Sequence, residues 1–136
     1  MRIAALEAAF RATTYRVETD EGVFDLRIGL SNKMFDVFLR RKDVSCWGIV
    51  TAFNPGGIRS DDANLRCHHQ LLEKLQASSW IYLPACNLAD DEAWPDEHGF
   101  LILQASEKEV CNLAAERCQL ACVCGDVGTL PRLVWT

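Results

Sequence analysis

Cys46-Trp47-Gly48-Ile49-Val50-Thr51-Ala52-Phe53 forms a continuous apolar run that ends in Asn54-Pro55-Gly56-Gly57. A strand with one wet face alternates polar and apolar residues, whereas a run of this kind needs cover on both faces. The stretch therefore predicts a central strand inside a layered domain. Asn-Pro-Gly-Gly closes it as a turn, because Pro presets φ and Gly accepts conformations closed to other residues.

Upstream, residues 3–12 are Ala-rich with Leu6 and Phe10 one turn apart, which predicts a short helix. Thr13-Tyr15-Val17-Thr19 alternates with Thr14-Arg16-Glu18, and Phe24-Leu26-Ile28-Leu30 with Asp25-Arg27-Gly29. With Asp20-Glu21-Gly22 between them, these two stretches predict a hairpin with one wet face. Ser31 is placed to cap a helix whose Met34, Phe35, Phe38 and Leu39 share a face. Arg40-Arg41-Lys42 suits the negative pole at that helix's end.

Downstream, a helix is expected over Asp61 to Ala77, with Leu71, Leu72 and Leu75 on its buried stripe. At ~100° per residue Asn64 and His68 fall on the same stripe, and Arg66 points away. Trp80 to Cys86 and Phe100 to Leu103 read as strands joined by a polar, acidic connection. Ser106-x-x-Glu109 is a capping box for a helix with Val110, Leu113, Ala114 and Cys118 on one face. Short strands follow at Leu120 to Cys124 and Arg132 to Trp135. This order mixes hairpins with helical crossovers and predicts an α+β fold, with a single mixed β-sheet of about six or seven strands and three or four helices packed against it.

The 136 residues suffice for a single globular domain over residues 1–136. Apolar residues at 49% against 24% charged describe a globular chain, and a net charge of −5 disfavours nucleic acid or anionic lipid as partner. No apolar run approaches ~18 residues, so no membrane span is expected. Glu7 and Arg11 interrupt the N-terminal apolar residues, which argues against a signal core and for a cytoplasmic protein. Cys118-x3-Cys122-x-Cys124 and Cys67-His68-His69 are the densest thiol and imidazole groupings, and neither has structural-zinc spacing. The seven cysteines are read as reduced thiols packing as small hydrophobes, and no metal or cofactor is expected.

Polar residues interrupt the apolar pattern at three element ends, where open sheets hold ligands. The first is Thr51 to Gly57 with Asn64 after it. It has the outline of a phosphate cradle, but Asp61 and Asp62 occupy the following helix start and only Arg59 offsets them. The second is the connection from Asn87 to Gly99, with five carboxylates, His98 and Trp94, the last expected to pin the loop or to form a stacking wall. The third is Arg117-Cys118-Gln119.

Thr51-Ala52-Phe53-Asn54-Pro55, then Asn64 and Arg66, Trp94-Pro95-Asp96-Glu97, Phe100-Leu101-Ile102-Leu103 and Gln119-Leu120-Ala121 together resemble the bacterial family of unknown function DUF3293. Thr14-Tyr15 and Leu26-Arg27-Ile28-Gly29 fit as well, so the resemblance covers nearly the whole chain. It departs at Gly57, where the family pattern favours Ser, and around His98-Gly99, where it favours a small hydroxyl residue. The resemblance implies shared architecture and a shared pocket, and brings no activity.

The resulting expectation is a binding site for a small polar, nucleotide-like or related ligand at Thr51, Asn54, Asn64, Glu97 and Gln119, with Glu97 the one charged contact. The alternative is a hydrolase or transferase with Glu97 as general base, partnered by His68 or His98, although no nucleophile motif is present. A third class is a protein-interaction module using Trp135 or the Arg40-Arg41-Lys42 end.

Overall fold

The computed structural model describes residues 3–136. The elements run α1 (Ile3–Arg11), β1 (Thr13–Thr19), β2 (Gly22–Leu26), α2 (Lys33–Arg41), β3 (Cys46–Thr51), α3 (Asp61–Gln76), β4 (Ile81–Ala89), β5 (Glu97–Leu103), α4 (Glu107–Glu116), β6 (Ala121–Asp126) and β7 (Arg132–Trp135). A 3-10 turn at Pro55–Gly57 follows β3. The seven strands form one sheet in the order β2-β1-β4-β5-β3-β6-β7.

The α+β class holds, but the expected mixture of parallel and antiparallel pairs gives way to a sheet whose neighbours are all antiparallel. The cause lies in the crossovers. α3 carries the chain from β3 to β4 and α4 carries it from β5 to β6, and each crossover passes over one strand. The strands that each helix joins are parallel to one another, and the strand inserted between them runs the other way. Both crossovers are thus split β-α-β units.

β3 has the double cover that its apolar run requires. Trp47 and Ile49 join Phe35, Phe38 and Leu39 of α2 and Leu101 of β5 on one face. Val50 joins Leu71 and Leu75 of α3, Val110 and Leu113 of α4, and Phe100 on the other. The sheet curls around the first face until its edges approach, and the Gly29 N–H, just beyond β2, donates to the Pro131 carbonyl, just before β7, at 2.9 Å.

Several local expectations shift. Asn32, not Ser31, caps α2 by accepting from the Phe35 N–H at 3.0 Å, and Met34 is exposed rather than part of the buried face. β2 stops at Leu26, and Gly29 takes a positive φ of 79° that ends the alternation. Of the cysteines only Cys122 and Cys124 are buried, Cys118 is exposed, and the other four are half-buried. Cys118 lies past the end of α4 in left-handed conformation (φ 57°), where a helix-face pattern no longer applies. Ser106 and Glu109 form the expected capping box. Arg41 and Lys42 pair with Glu21 and Asp20, tying the end of α2 to the β1–β2 turn.

Most consequential is the length of the β4–β5 hairpin. The two strands stay paired down to Asn87 and Glu97, so the acidic connection shrinks to residues 90–96 and Glu97 lies on a strand. Gly99 makes the passage of β3 possible there, since a Cβ at that position would run into the Val50 carbonyl oxygen and the Thr51 backbone. Gly99→Ala is expected to destabilise the fold by about 1–3 kcal/mol, because the obstacle is backbone that cannot rotate away. Urea unfolding of the variant against wild type measures it.

Candidate functional site

The site begins as a row across three strands. Tyr15 of β1 is in register with Asn87 of β4, and Asn87 with Glu97 of β5. All three share the concave face with Val17, Ala85 and Leu101, at the end of the sheet that α2 does not reach. A cavity of about 300 Å3 stands on this row. α1 forms one wall with Leu6, Ala9 and Phe10; Trp94 forms another; Phe53 and Asn54 after β3, with Gln119 and Leu120 before β6, complete it.

Asn54 organises the polar end. It is 3% exposed and sits in left-handed conformation (φ 52°), which Asn tolerates better than most residues. Its backbone N–H donates to Asn64 Oδ1 at 2.8 Å. Its own Oδ1 accepts from the Ser60 N–H at 3.0 Å and from Asn64 Nδ2 at 2.9 Å. Those contacts fix which way the carboxamide points, so Nδ2 must face Glu97, and it donates to Oε2 at 2.5 Å. The Trp94 indole donates to the same Oε2 at 3.2 Å. Glu97 Oε1 has no hydrogen-bond partner among the described residues and is not among the buried atoms left without one, so it is the carboxylate atom with accessible surface.

Burial pushes the Glu97 carboxyl above the ordinary carboxylate range, and the donors Asn54 and Trp94 offset only part of that. Tyr15 is 2% exposed and donates to the Phe10 carbonyl at 3.1 Å. Burial holds its hydroxyl protonated, with the Glu97 charge adding to the effect and Thr13 and Arg27 opposing it. The loop that carries Trp94 is anchored at both ends. Asp90 pairs with Arg27 and its N–H donates to the Ala12 carbonyl at 2.9 Å, while the Asp91 carboxylate and carbonyl accept from the Ala93 and Trp94 N–H groups.

Of the five residues expected at the site, Asn54, Glu97 and Gln119 line the cavity. Asn64 stands behind them as the support of Asn54. Thr51 is turned to local duty, donating to the His98 carbonyl at 2.9 Å and accepting from the Phe53 N–H at 3.0 Å. Gln119 Nε2 donates to the Phe53 carbonyl at 3.0 Å, and the Gly56 N–H donates to the Cys118 carbonyl at 2.7 Å, so two clamps hold the turn after β3 to the segment before β6. Trp94 serves both expected roles, pinning its loop and walling the cavity.

The imidazoles expected to partner Glu97 are not beside it. His98 precedes Gly99 on the opposite face of β5, and lines a separate hollow with Arg16 and Cys86. His68 stacks on Phe100 at 4.8 Å under α3, where burial pushes its pKa down and leaves Nδ1 buried without a partner. Arg59, read as an offset to the acidic helix start, is paired with Asp61 at 3.0 Å. Tyr15, Asn87 and the whole α1 wall were not among the expected site residues. The alternation of Tyr15 with Val17 marks a buried face but not a cavity, and Asn87 lay in what read as loop.

The fold and site define an antiparallel α+β domain with one end of its curled sheet roofed into a polar-floored cavity. Within that class the chain belongs to the DUF3293 family, described as a protein of unknown function, whose model matches residues 50–122, just over half of the chain. The match takes in Asn54, Asn64, Asn87, Trp94, Glu97 and Gln119, whereas Tyr15, Arg27 and α1 lie outside it. No curated protein and no solved structure matches.

Asn64→Ala removes a donor and an acceptor from a buried amide and is expected to cost about 1–3 kcal/mol in urea unfolding. Glu97→Gln isolates the carboxyl. An acid whose folded-state pKa lies above its unfolded value holds its proton more tightly when folded, so its contribution to stability falls as pH rises through that window. The wild type is expected to gain stability relative to Glu97→Gln as pH is lowered through the raised Glu97 pKa, as read from denaturation midpoints across pH.

Proposed function

We propose that the protein binds a small polar ligand in the cavity above Tyr15, Asn87 and Glu97. The observation that carries this reading is a half-buried carboxylate with one oxygen held by two protein donors and the other facing a cavity of about 300 Å3, a volume at the lower end for small-molecule sites. Convergence of three elements on Asn54 supports it further, since a site must be rigid to select a ligand.

General acid-base chemistry by Glu97 is the second reading, as in a hydrolase or transferase. The favouring observation is that Oε2 already accepts two donors, so a proton taken up by Glu97 goes to Oε1 on the cavity side. The burial that raises its pKa moves it toward the range useful to a base near neutral pH. No cavity side chain is an activated nucleophile, since the Tyr15 hydroxyl is spent on Phe10 and held protonated, so such chemistry would use water or a second substrate.

An interaction module has less to support it. The basic end of α2 is engaged with Asp20 and Glu21, and Trp135 packs edge-on against Phe10 at 5.9 Å. Among the described residues no helix is long and apolar enough to cross a membrane. A cytoplasmic setting is part of the proposal, since seven free thiols suit a reducing compartment.

A thermal-shift screen of polar metabolites tests the binding reading. A ligand at ~100 times its dissociation constant stabilises by about 2.7 kcal/mol. Leu6→Trp, which places an indole in the cavity from α1, is expected to abolish the shift while leaving the Asn54–Glu97 contacts in place. A shift that survives this change puts the ligand elsewhere.

A further inference from the structure

The polar end of the cavity is depleted of donors. Trp94 Nε1 and Asn54 Nδ2 are spent on Glu97, Gln119 Nε2 on the Phe53 carbonyl, the Tyr15 hydroxyl on Phe10, and the Thr13 hydroxyl on the Ala9 carbonyl at 2.8 Å. Apart from the Asn87 amide nitrogen and the second N–H of Asn54 Nδ2, the side-chain donors of the lining are thus used within the protein. Accessible acceptors remain in Glu97 Oε1 and Gln119 Oε1, which accept no hydrogen bond from the described residues and are not among the buried atoms.

Charge points the same way. Among the described residues, Glu97 and Asp91 are the charged members of the lining, and it contains no Lys, Arg or His. The nearby Arg27 is committed to Asp90 through two hydrogen bonds, at 2.9 and 3.0 Å, and to the Thr14 hydroxyl and the Arg11 carbonyl. The carboxyl end of α1 abuts the cavity through Ala9, Phe10 and Ala12, which adds the negative pole of a helix. A phosphate or carboxylate would therefore meet like charge and, apart from the Asn87 and Asn54 amide N–H groups, no side-chain donor. The remainder of the wall is apolar, from Leu6, Phe10, Phe53 and Leu120, and Trp94 adds an aromatic ring of the kind that attracts cations.

We propose that the ligand is a small organic cation, an amine, amidine or guanidine carried on an apolar body, with its N–H groups on Glu97 Oε1 and Gln119 Oε1. This deepens the binding reading above and rests on it. It narrows the expected nucleotide-like class, because a phosphate end finds no counter-charge here.

Benzamidine, benzamide and benzoate share one shape and differ in charge, and titration of each into the full chain, followed by the Trp94 indole N–H resonance, separates the possibilities. Benzamidine is expected to move that resonance and to bind roughly tenfold or more tightly than benzamide, with benzoate weakest, since hydrogen bonds to a charged group exceed neutral ones by about that factor. Glu97→Gln keeps an oxygen for Asn54 and Trp94 and puts an amide NH2 where Oε1 stood, so it is expected to abolish the preference for benzamidine. Benzamide or benzoate binding to wild type as tightly as benzamidine overturns the cation assignment and leaves the cavity as a binding site. An indole resonance that none of the three moves at millimolar concentration overturns the binding reading along with it.

Discussion

The side-chain amide of Asn54 is held from both ends, and the polar architecture of the site follows from that. Its oxygen accepts from the first residues of the α3 region, through the Ser60 N–H and Asn64, and its nitrogen donates to Glu97 on β5. Its backbone N–H, just past β3, is also taken by Asn64. A carboxamide that could turn over would present either polarity to Glu97. This one cannot, because turning it would put NH2 against the Ser60 N–H. The direction of a single buried dipole thus decides that Glu97 Oε2 is always an acceptor, and that Oε1 is left for whatever enters the cavity.

The walls of the cavity differ in how they are held. Its floor belongs to the antiparallel sheet, and its turn is clamped by Gln119 and by the Gly56–Cys118 contact. The α1 wall has no fully buried residue, and meets the body through Phe10 against Trp135 and through side chains that satisfy its final carbonyls. Elements with little buried surface are the first to open in a folded protein.

Much of this was legible in the residues. The run from Cys46 to Phe53, the alternation of Tyr15 with Val17 and the capping box at Ser106 each report a local rule, namely cover on two faces, cover on one, and satisfaction of helix-end donors. Asn64 on a leucine stripe showed that a polar group faced inward. The strand ends were harder to read. Asn87 and Glu97 belong to β4 and β5 because they pair with each other and with Tyr15, and nothing in Asn87-Leu88-Ala89 or Pro95-Asp96-Glu97 announces that pairing. Thr51 looked like Asn54 in type and place, yet its short hydroxyl is used up by the His98 carbonyl and the Phe53 N–H.

By itself the sequence determined the α+β class, the elements and most of their inward-facing residues, because these depend on periodicity and caps within a few residues of one another. Only the tertiary structure decided that the α3 and α4 crossovers each skip a strand, that every neighbour is antiparallel, and that Tyr15, Asn87 and Glu97 line up under α1. Those outcomes depend on which distant segments compete for the same sheet edge, and that competition is resolved by packing across the whole core.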